Sequence, residues 1–548
     1  MKKFSVSSKQ LGYLAKFFGL FCVCLILVIS CGRRPNAVSG GSSSANNNSD
    51  RLSVGTTLKP RTLDPADAYE LAASNVLYSL GDRLYTYKLG TDQLVPQLAT
   101  ALPKVSADGL TYVIPLRQGV VFHDGTPFNA EAMVFSLERF MKNGGKPSNL
   151  LTDIVESVKA SGPYEVTIKL KNPFAAFPAI LAFAGMCPVS PKAYQIGEGK
   201  FTPTKFVGTG PYKLVEFTPT SIRLEVFDKY WGQKPANKGI DFQVLTSSAN
   251  LYNTFRTGTV DIASQTLDPV QISSLQQNAK SGGWQVSEAK GNVISYMVLN
   301  TQQKPLDNVE IRQAIASLIN RKLIIERVLR NQGEPAYSMI PNTFSVSIPV
   351  YQKVYGDGNI AKAKELLTKA GFSKENPLKL EVWYPIGSAV RQQVAALLKE
   401  YALQELDGMV QIQPQAVESA TFFANIRKGV YQSALVDWYP DFSDADNYIQ
   451  PFLSCAKGSP TTGCQQGASQ SQGSFYYSDR MNQLIQQQRR EQNPEKRKQI
   501  FAEIQKLMAQ DVPLIPLWQS KDFAFAKQGL QGVKIDPIQQ LPFWEIKK

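Results

Sequence analysis

Histidine is almost missing: His123 is the only one in 548 residues. A His-rich metal centre is thereby excluded, and any Ser-His or Cys-His nucleophile would have to use this single imidazole. Cysteine is scarce, with six in the chain, and Cys22, Cys24 and Cys31 lie near the N-terminus. No apolar run beyond the N-terminus approaches the roughly 20 residues that a membrane-spanning helix needs. Dense Lys/Arg runs with interleaved aromatics are absent, so the formal charge of +14 is not a nucleic-acid signature. That charge favours anionic surfaces such as lipid headgroups instead. What is present is a globular composition: 43% hydrophobic and 19% charged residues, too apolar for a disordered chain. At ~100–200 residues per domain, the length predicts roughly two to four domains.

Lys2, Lys3, Lys9 and Lys16 precede the uncharged apolar segment Phe17 to Ser30, and the first acid is Asp50. This segment is too short to span a bilayer and reads as the hydrophobic region of a signal peptide, over residues 1–30. It ends in Val28-Ile29-Ser30-Cys31-Gly32, which resembles the lipobox of bacterial lipoproteins. The resemblance implies cleavage before Cys31 and lipidation of that cysteine, with acyl chains holding the protein at a membrane. The rest of 31–50 is rich in Ser, Gly and Asn and reads as a flexible tether reaching about 25 Å. Export places the remaining thiols in an oxidising compartment. Cys455 and Cys464 bracket a short Gly/Ser/Thr/Pro loop, and no further Cys or His completes a metal site, so a local disulfide is expected. Cys187, beside Met186 and Pro188, is expected as a buried free thiol.

Past the tether, short strand-like runs alternate with amphipathic helices and Gly/Pro turns, the pattern of an α/β protein. Tyr112 to Arg117 reads as a strand, and Asn129 opens a helix over Ala130 to Arg139. Lys213 to Phe227 reads as a hairpin bending at Thr218-Pro219-Thr220. One apolar helical face is expected over Val309 to Arg330, and a second strong helix over Ala389 to Leu406. Asn493-Pro494 is an N-cap followed by proline in the first helical turn. No repeat of 20–50 residues is visible, which excludes a solenoid.

Several blocks, taken in order, resemble the bacterial solute-binding proteins of peptide/nickel ABC importers. They include Leu63-Asp64-Pro65-Ala66, Tyr112 to Arg139, Gly208 to Leu214, Asp228 to Gly232, Gly258 to Ile262, Ala361 to Leu367, Trp438 to Tyr448 and Pro513 to Leu517. The resemblance runs from about residue 52 to the end. It implies an α/β, two-lobed periplasmic-binding-protein fold with a hinge and an extra domain inserted in lobe I. Lobe I would comprise 51–80, 205–300 and 521–548, the inserted domain 81–204, and lobe II 301–520. Most of these blocks read as scaffold. Gly208 to Pro211 is a strand-entry turn rather than a phosphate loop, since it lacks a third spaced Gly and a following Lys-Ser/Thr.

In peptide-binding relatives, an Asp three residues after a Trp at the end of a cleft strand receives the α-amino group of the peptide. Asp441, following Trp438 after the apolar run Ala434-Leu435-Val436, falls on that position. A carboxylate that is short of partners until a cation arrives selects for a free amine. Asp444 and Asp446 read as members of a structural turn. Dipeptide-specific relatives carry an Arg soon after a Trp/Met-Pro strand to take the ligand carboxylate, but Trp383-Tyr384-Pro385-Ile386-Gly387-Ser388 has none. Arg391 is the nearest candidate, at a helix start where solvation alone would explain it. This departure leaves longer peptides or another cationic ligand open. Trp438, Tyr439 and Tyr384 are candidate pocket walls, or core.

The implied function is therefore capture of peptides between two lobes and delivery to an ABC permease with its ATPase subunits. The expected protein is monomeric and exported, needs no cofactor, and does no chemistry of its own. The alternative is a receptor for a metal chelate, haem or another cationic metabolite. A glycoside hydrolase built on Asp441, Asp444 and Asp446 is disfavoured because all three crowd one turn, where they cannot flank a substrate bond. A surface protein using the same fold for signalling or adhesion is a further reading.

Overall fold

The computed structural model describes residues 50–548 apart from 537, 539 and 540. The expected signal peptide, Cys31 and the tether up to residue 49 therefore lie outside the described residues. An eleven-stranded mixed sheet runs through the molecule. From one edge its strands are Val410–Val417, Leu378–Pro385, Ser433–Trp438, Trp284–Leu299, Leu514–Lys527, Ile262–Ser264, Leu52–Thr56, Gly239–Val244, Ser221–Val226 and Tyr212–Phe217. The short strand Gly333–Pro335 pairs beside Leu514–Lys527. A separate four-stranded antiparallel sheet holds Lys104–Val105, Thr111–Pro115, Glu165–Leu170 and Val155–Gly162.

The two longest strands, Trp284–Leu299 and Leu514–Lys527, are antiparallel neighbours that pass from one hydrophobic core to another. Their sequences change character midway. Gly291 to Leu299 is buried throughout, as a strand covered on both faces must be, whereas Trp284 to Lys290 is only partly buried. The ladder breaks between these halves: Lys290 faces Lys521 and Ile294 faces Gln519, so residues 291–293 bulge opposite Ser520. Gly291 is required there, because a Cβ would lie 2.4 Å from Ser520 Oγ and 2.6 Å from Asp522 Oδ2. One core gathers residues from Ile294 to Trp518. On the other side of the bulge, Leu52 to Leu80 pack with strand residues 212–262 and with Ala524 to Ile546. A third core, from Leu84 to Met186, packs under the small sheet. The result is a two-lobed α/β fold.

Local chemistry accounts for most elements. Asn129 Oδ1 accepts the Ala132 N–H at 2.9 Å and starts the helix Ala130–Lys142. Asn493 caps Pro494–Asp511 in the same way. The hairpin bends at 218–220, with the Ser221 N–H donating to Thr218 Oγ1 at 3.0 Å. The helical run from Val309 to Arg330 is not continuous. It divides into Val309–Leu318 and Arg321–Arg327, because Ile319 is extended and Asn320 caps the second piece through the Leu323 N–H. The apolar face survives the break, which hides it from a periodicity reading.

Some of the blocks singled out in the sequence prove to be joints. Arg139 makes two 2.7 Å bonds to the Asp64 carboxylate, and Thr202 adds a backbone N–H at 2.7 Å. His123 Nδ1 accepts from the Gly208 N–H, while Nε2 lies 3.1 Å from the Gly210 carbonyl, which it reaches as a donor. Burial holds the His123 pKa down at about 4, so the imidazole is a neutral structural link. Cys455 and Cys464 are disulfide-bonded and Cys187 is a buried thiol.

Candidate functional site

Strand Ser433–Trp438 is buried over Ser433 to Val436 and emerges at Asp437 and Trp438. Pro440 lacks an N–H and ends the pairing, so Tyr439 to Phe442 turn away along the wall of a cavity of about 360 Å³. Tyr69, Tyr78, Tyr87 and Phe183 face this loop from the other side, so the cavity lies between the two lobes. Its size is within the range of small-molecule sites.

Asp441 is held by neutral groups. Tyr69 Oη donates to Oδ1 at 2.6 Å, and Asn447 Nδ2 approaches Oδ2 at 3.4 Å. Burial and the nearby Asp441 charge push the Tyr69 phenol up, which keeps it a donor. Burial raises the Asp441 carboxyl, and its bonds to Tyr69 and Asn447 pull the other way without cancelling that rise. The expectation of a carboxylate short of partners is thus corrected: it has two, and no Lys or Arg ion pair among the described residues. Asn447 also accepts the Asp441 N–H at 2.9 Å and the Trp438 indole N–H at 3.2 Å. The turn residue Asn447 therefore fixes the loop that carries the carboxylate.

The remaining acids of the turn are structural. Asp444 caps the short helix Ala445–Tyr448 and takes two bonds from Arg497, at 2.8 and 2.7 Å. Asp446, buried, is bonded by Gln488 and by Arg489 at 3.2 Å. Among the described residues no group of three or more His, Cys, Asp or Glu could hold a metal, and no helix is long and apolar enough to cross a membrane.

Other predicted site residues fare differently. Trp438 and Tyr439 line the cavity; Trp438 packs edge-on against Phe452, and Tyr439 is 53% exposed. Tyr384 belongs to the core instead. Strand alternation places it on the same face as Leu380 and Val382, and Trp383 on the other face stacks on Tyr431. Arg391 is not a freely solvated side chain, and its Nε is buried with no hydrogen-bond partner among the described residues. It is part-buried and ion-paired to Asp437, whose other oxygen accepts from Ser295 Oγ at 2.6 Å. Asp437 itself lines the cavity. Sequence reasoning missed Tyr69, Asn447 and Asp437. Only Asp437, one residue before Trp438 at the end of an apolar strand, carried a local signal.

A cavity between two lobes, walled by aromatics around a half-buried carboxylate, is the arrangement of a solute-binding site. The family described as bacterial extracellular solute-binding proteins, family 5 middle, matches residues 93–460, and the chain belongs to it. The family is one of binding proteins rather than enzymes. The dipeptide-binding protein of Escherichia coli K12 is 28% identical over 510 residues, covering 87% of this chain and 90% of that protein. The glutathione-binding protein GsiB of Salmonella typhimurium LT2 is 28% identical over 486 residues, with the same coverage. Among solved structures, the periplasmic binding protein DppA of Helicobacter pylori, in complex with the peptide STSA, superposes with a TM-score of 0.70. It is 23% identical, covering 90% of this chain and 97% of that one.

Proposed function

We propose that this protein captures short peptides by their free amino terminus and passes them to an ABC permease. The observation that carries the reading is Asp441, a carboxylate on the wall of the interlobe cavity whose bonding groups among the described residues are all neutral. A half-buried carboxylate in that state gains most from a cation, and an α-ammonium supplies both charge and several N–H donors. Tyr69 and Asn447 would hold the acid in place while the amine arrives. The names of the dipeptide- and glutathione-binding relatives support a peptide-like ligand. Engagement of Arg391 by Asp437 speaks against a strict dipeptide clamp at that arginine. Backbone groups of an extended ligand would then pair with the cleft walls, an affinity that does not read side chains.

Closure follows from differential contact: a ligand touching both lobes stabilises the state in which both reach it. The lobes would be 51–80 with 205–300 and 521–548 on one side and 301–520 on the other, with 81–204 inserted in the first. The bulge at 291–293, where the long strands change cores, is a natural place for the hinge. Lipidation at Cys31 would keep the protein beside its permease. The test is binding of matched peptides with free and N-acetylated amino termini to the wild type and to Asp441→Asn. The substitution is expected to weaken the free-amine peptide far more; equal losses for both reject the amine anchor. Mass spectrometry of ligand released on unfolding the purified protein gives an independent check, and a ligand without a cationic amine would overturn the reading.

A further inference from the structure

A second cavity, of about 250 Å³, adjoins the first, and Leu71 and Tyr439 line both. Ser520 and Asp522 line it beside the bulge between the lobes. Asp522 Oδ2 and Ser520 Oγ are both buried without a hydrogen-bond partner among the described residues. Buried oxygens in this state are rare, and each needs a reason. The nearby cations are already engaged: Lys521, also at the cavity, pairs with Glu288 at 2.8 Å, and Lys290 pairs with Glu334 at 3.2 Å. Tyr439, uncharged, is the titratable group shared with the first cavity. Burial alone pushes the Asp522 carboxyl up to about 7, so its charge is poorly compensated. Opposite, Gln265 and Thr266 hold consecutive left-handed backbones, with φ of 60° and 58°, in the cavity wall. That conformation is unfavourable for a β-branched residue, and such strain persists where surrounding structure imposes it, commonly at ligand sites.

We propose that this second cavity is a subsite for a basic side chain of the bound peptide, with Asp522 as its charge partner and Ser520 as an additional acceptor. The inference rests on the amine-anchor reading, since a ligand held at Asp441 is what brings a side chain past Tyr439. It makes the protein selective for peptides carrying a second positive charge, a preference that the first cavity does not supply.

Calorimetric titration of tripeptides with lysine at position 1, 2 or 3, each against its norleucine counterpart, tests this. Norleucine keeps the length of the aliphatic chain and removes the ammonium. At one position, lysine is expected to bind about tenfold tighter or more in the wild type. That ratio is expected to collapse towards one in Asp522→Asn and to shrink in Ser520→Ala. A ratio near one at every position in the wild type overturns the subsite, and this result needs no variant to fold. An advantage that survives Asp522→Asn also overturns it. If no free-amine tripeptide of either kind binds the wild type, the amine anchor fails and the subsite with it. Norleucine peptides that bind well with no preference for lysine strike the subsite alone.

Discussion

Asp64, fully buried, and Asp441, half-buried, are two aspartates surrounded in different ways. Asp64 sits where the N-terminal segment meets the third core. It receives both arms of Arg139, with neither side chain more than 1% exposed, and backbone N–H groups from Ala66 and Thr202. Asp441 sits on the cavity wall and receives a phenol and a carboxamide. The first carboxylate is saturated by a cation from its own chain, so its interaction is spent on joining parts of the scaffold. The second is held by neutral groups that position it without cancelling its charge, so the largest stabilisation is left for a guest. On the proposed reading, the charge of its partners rather than burial separates a ligand-binding acid from a scaffold one.

The largest expected effect breaks the scaffold member of the pair. Asp64→Asn leaves Arg139 buried without a counter-charge and should cost about 3–5 kcal/mol of unfolding free energy, measured by denaturant titration. A cost below about 1 kcal/mol would erase the distinction between the two sites. Asp441→Asn should do the reverse. It should weaken free-amine peptides by roughly 30- to 5,000-fold, from about 2–5 kcal/mol for truncating one member of a buried charge pair, while shifting unfolding free energy by less than about 1 kcal/mol.

Titration sharpens the contrast. A cationic ligand binds the ionised form of Asp441, whose pKa in the free protein is raised, so affinity should fall as pH drops through that raised range, by up to about tenfold per unit. Asp441→Asn should lack this slope. At Asp522 the sign concerns stability. A carboxyl near 7 when folded and about 4 when unfolded retains its proton in the native state, so stability falls as pH rises between those values. Asp522→Asn should therefore raise Tm more at pH 8 than at pH 5, by the equivalent of about 1 kcal/mol or more. An equal shift at both pH values would contradict the buried, uncompensated carboxylate. The smallest effect expected is at Tyr69→Phe, which removes one neutral donor. A loss of about 1 kcal/mol in ligand affinity, with the preference for a free amine retained, would place Tyr69 as a positioning residue.

The parts that were readable in advance were those set by neighbours along the chain. Asn129, Asn493-Pro494 and the bend at 218–220 act within a few residues, and Cys455 and Cys464 close a short loop. Trp438 to Asp441 was readable because an apolar strand followed by a proline places it just past the end of a strand. The core placement of Tyr384 and the pairing of Arg391 with Asp437 were not legible for a common reason. Which face of the strand met the core, and whether Asp437 stood within reach of the helix start, depend on chain segments far away. Tyr69 is 372 residues from Asp441, and no local pattern links them.

By itself, the sequence determined the alternation of strands and helices, their caps and turns, and a carboxylate delivered to the end of a central strand. Those outcomes follow from periodicity and from short-range hydrogen bonding. Only the tertiary structure decided that Arg139 neutralises Asp64, that Asp437 pairs with Arg391, and that Asp441 and Asp522 form no Lys or Arg ion pair among the described residues. The reason is that the electrostatic state of a buried charge depends on which groups the fold brings within a few ångströms, and distance in space is not written in distance along the chain.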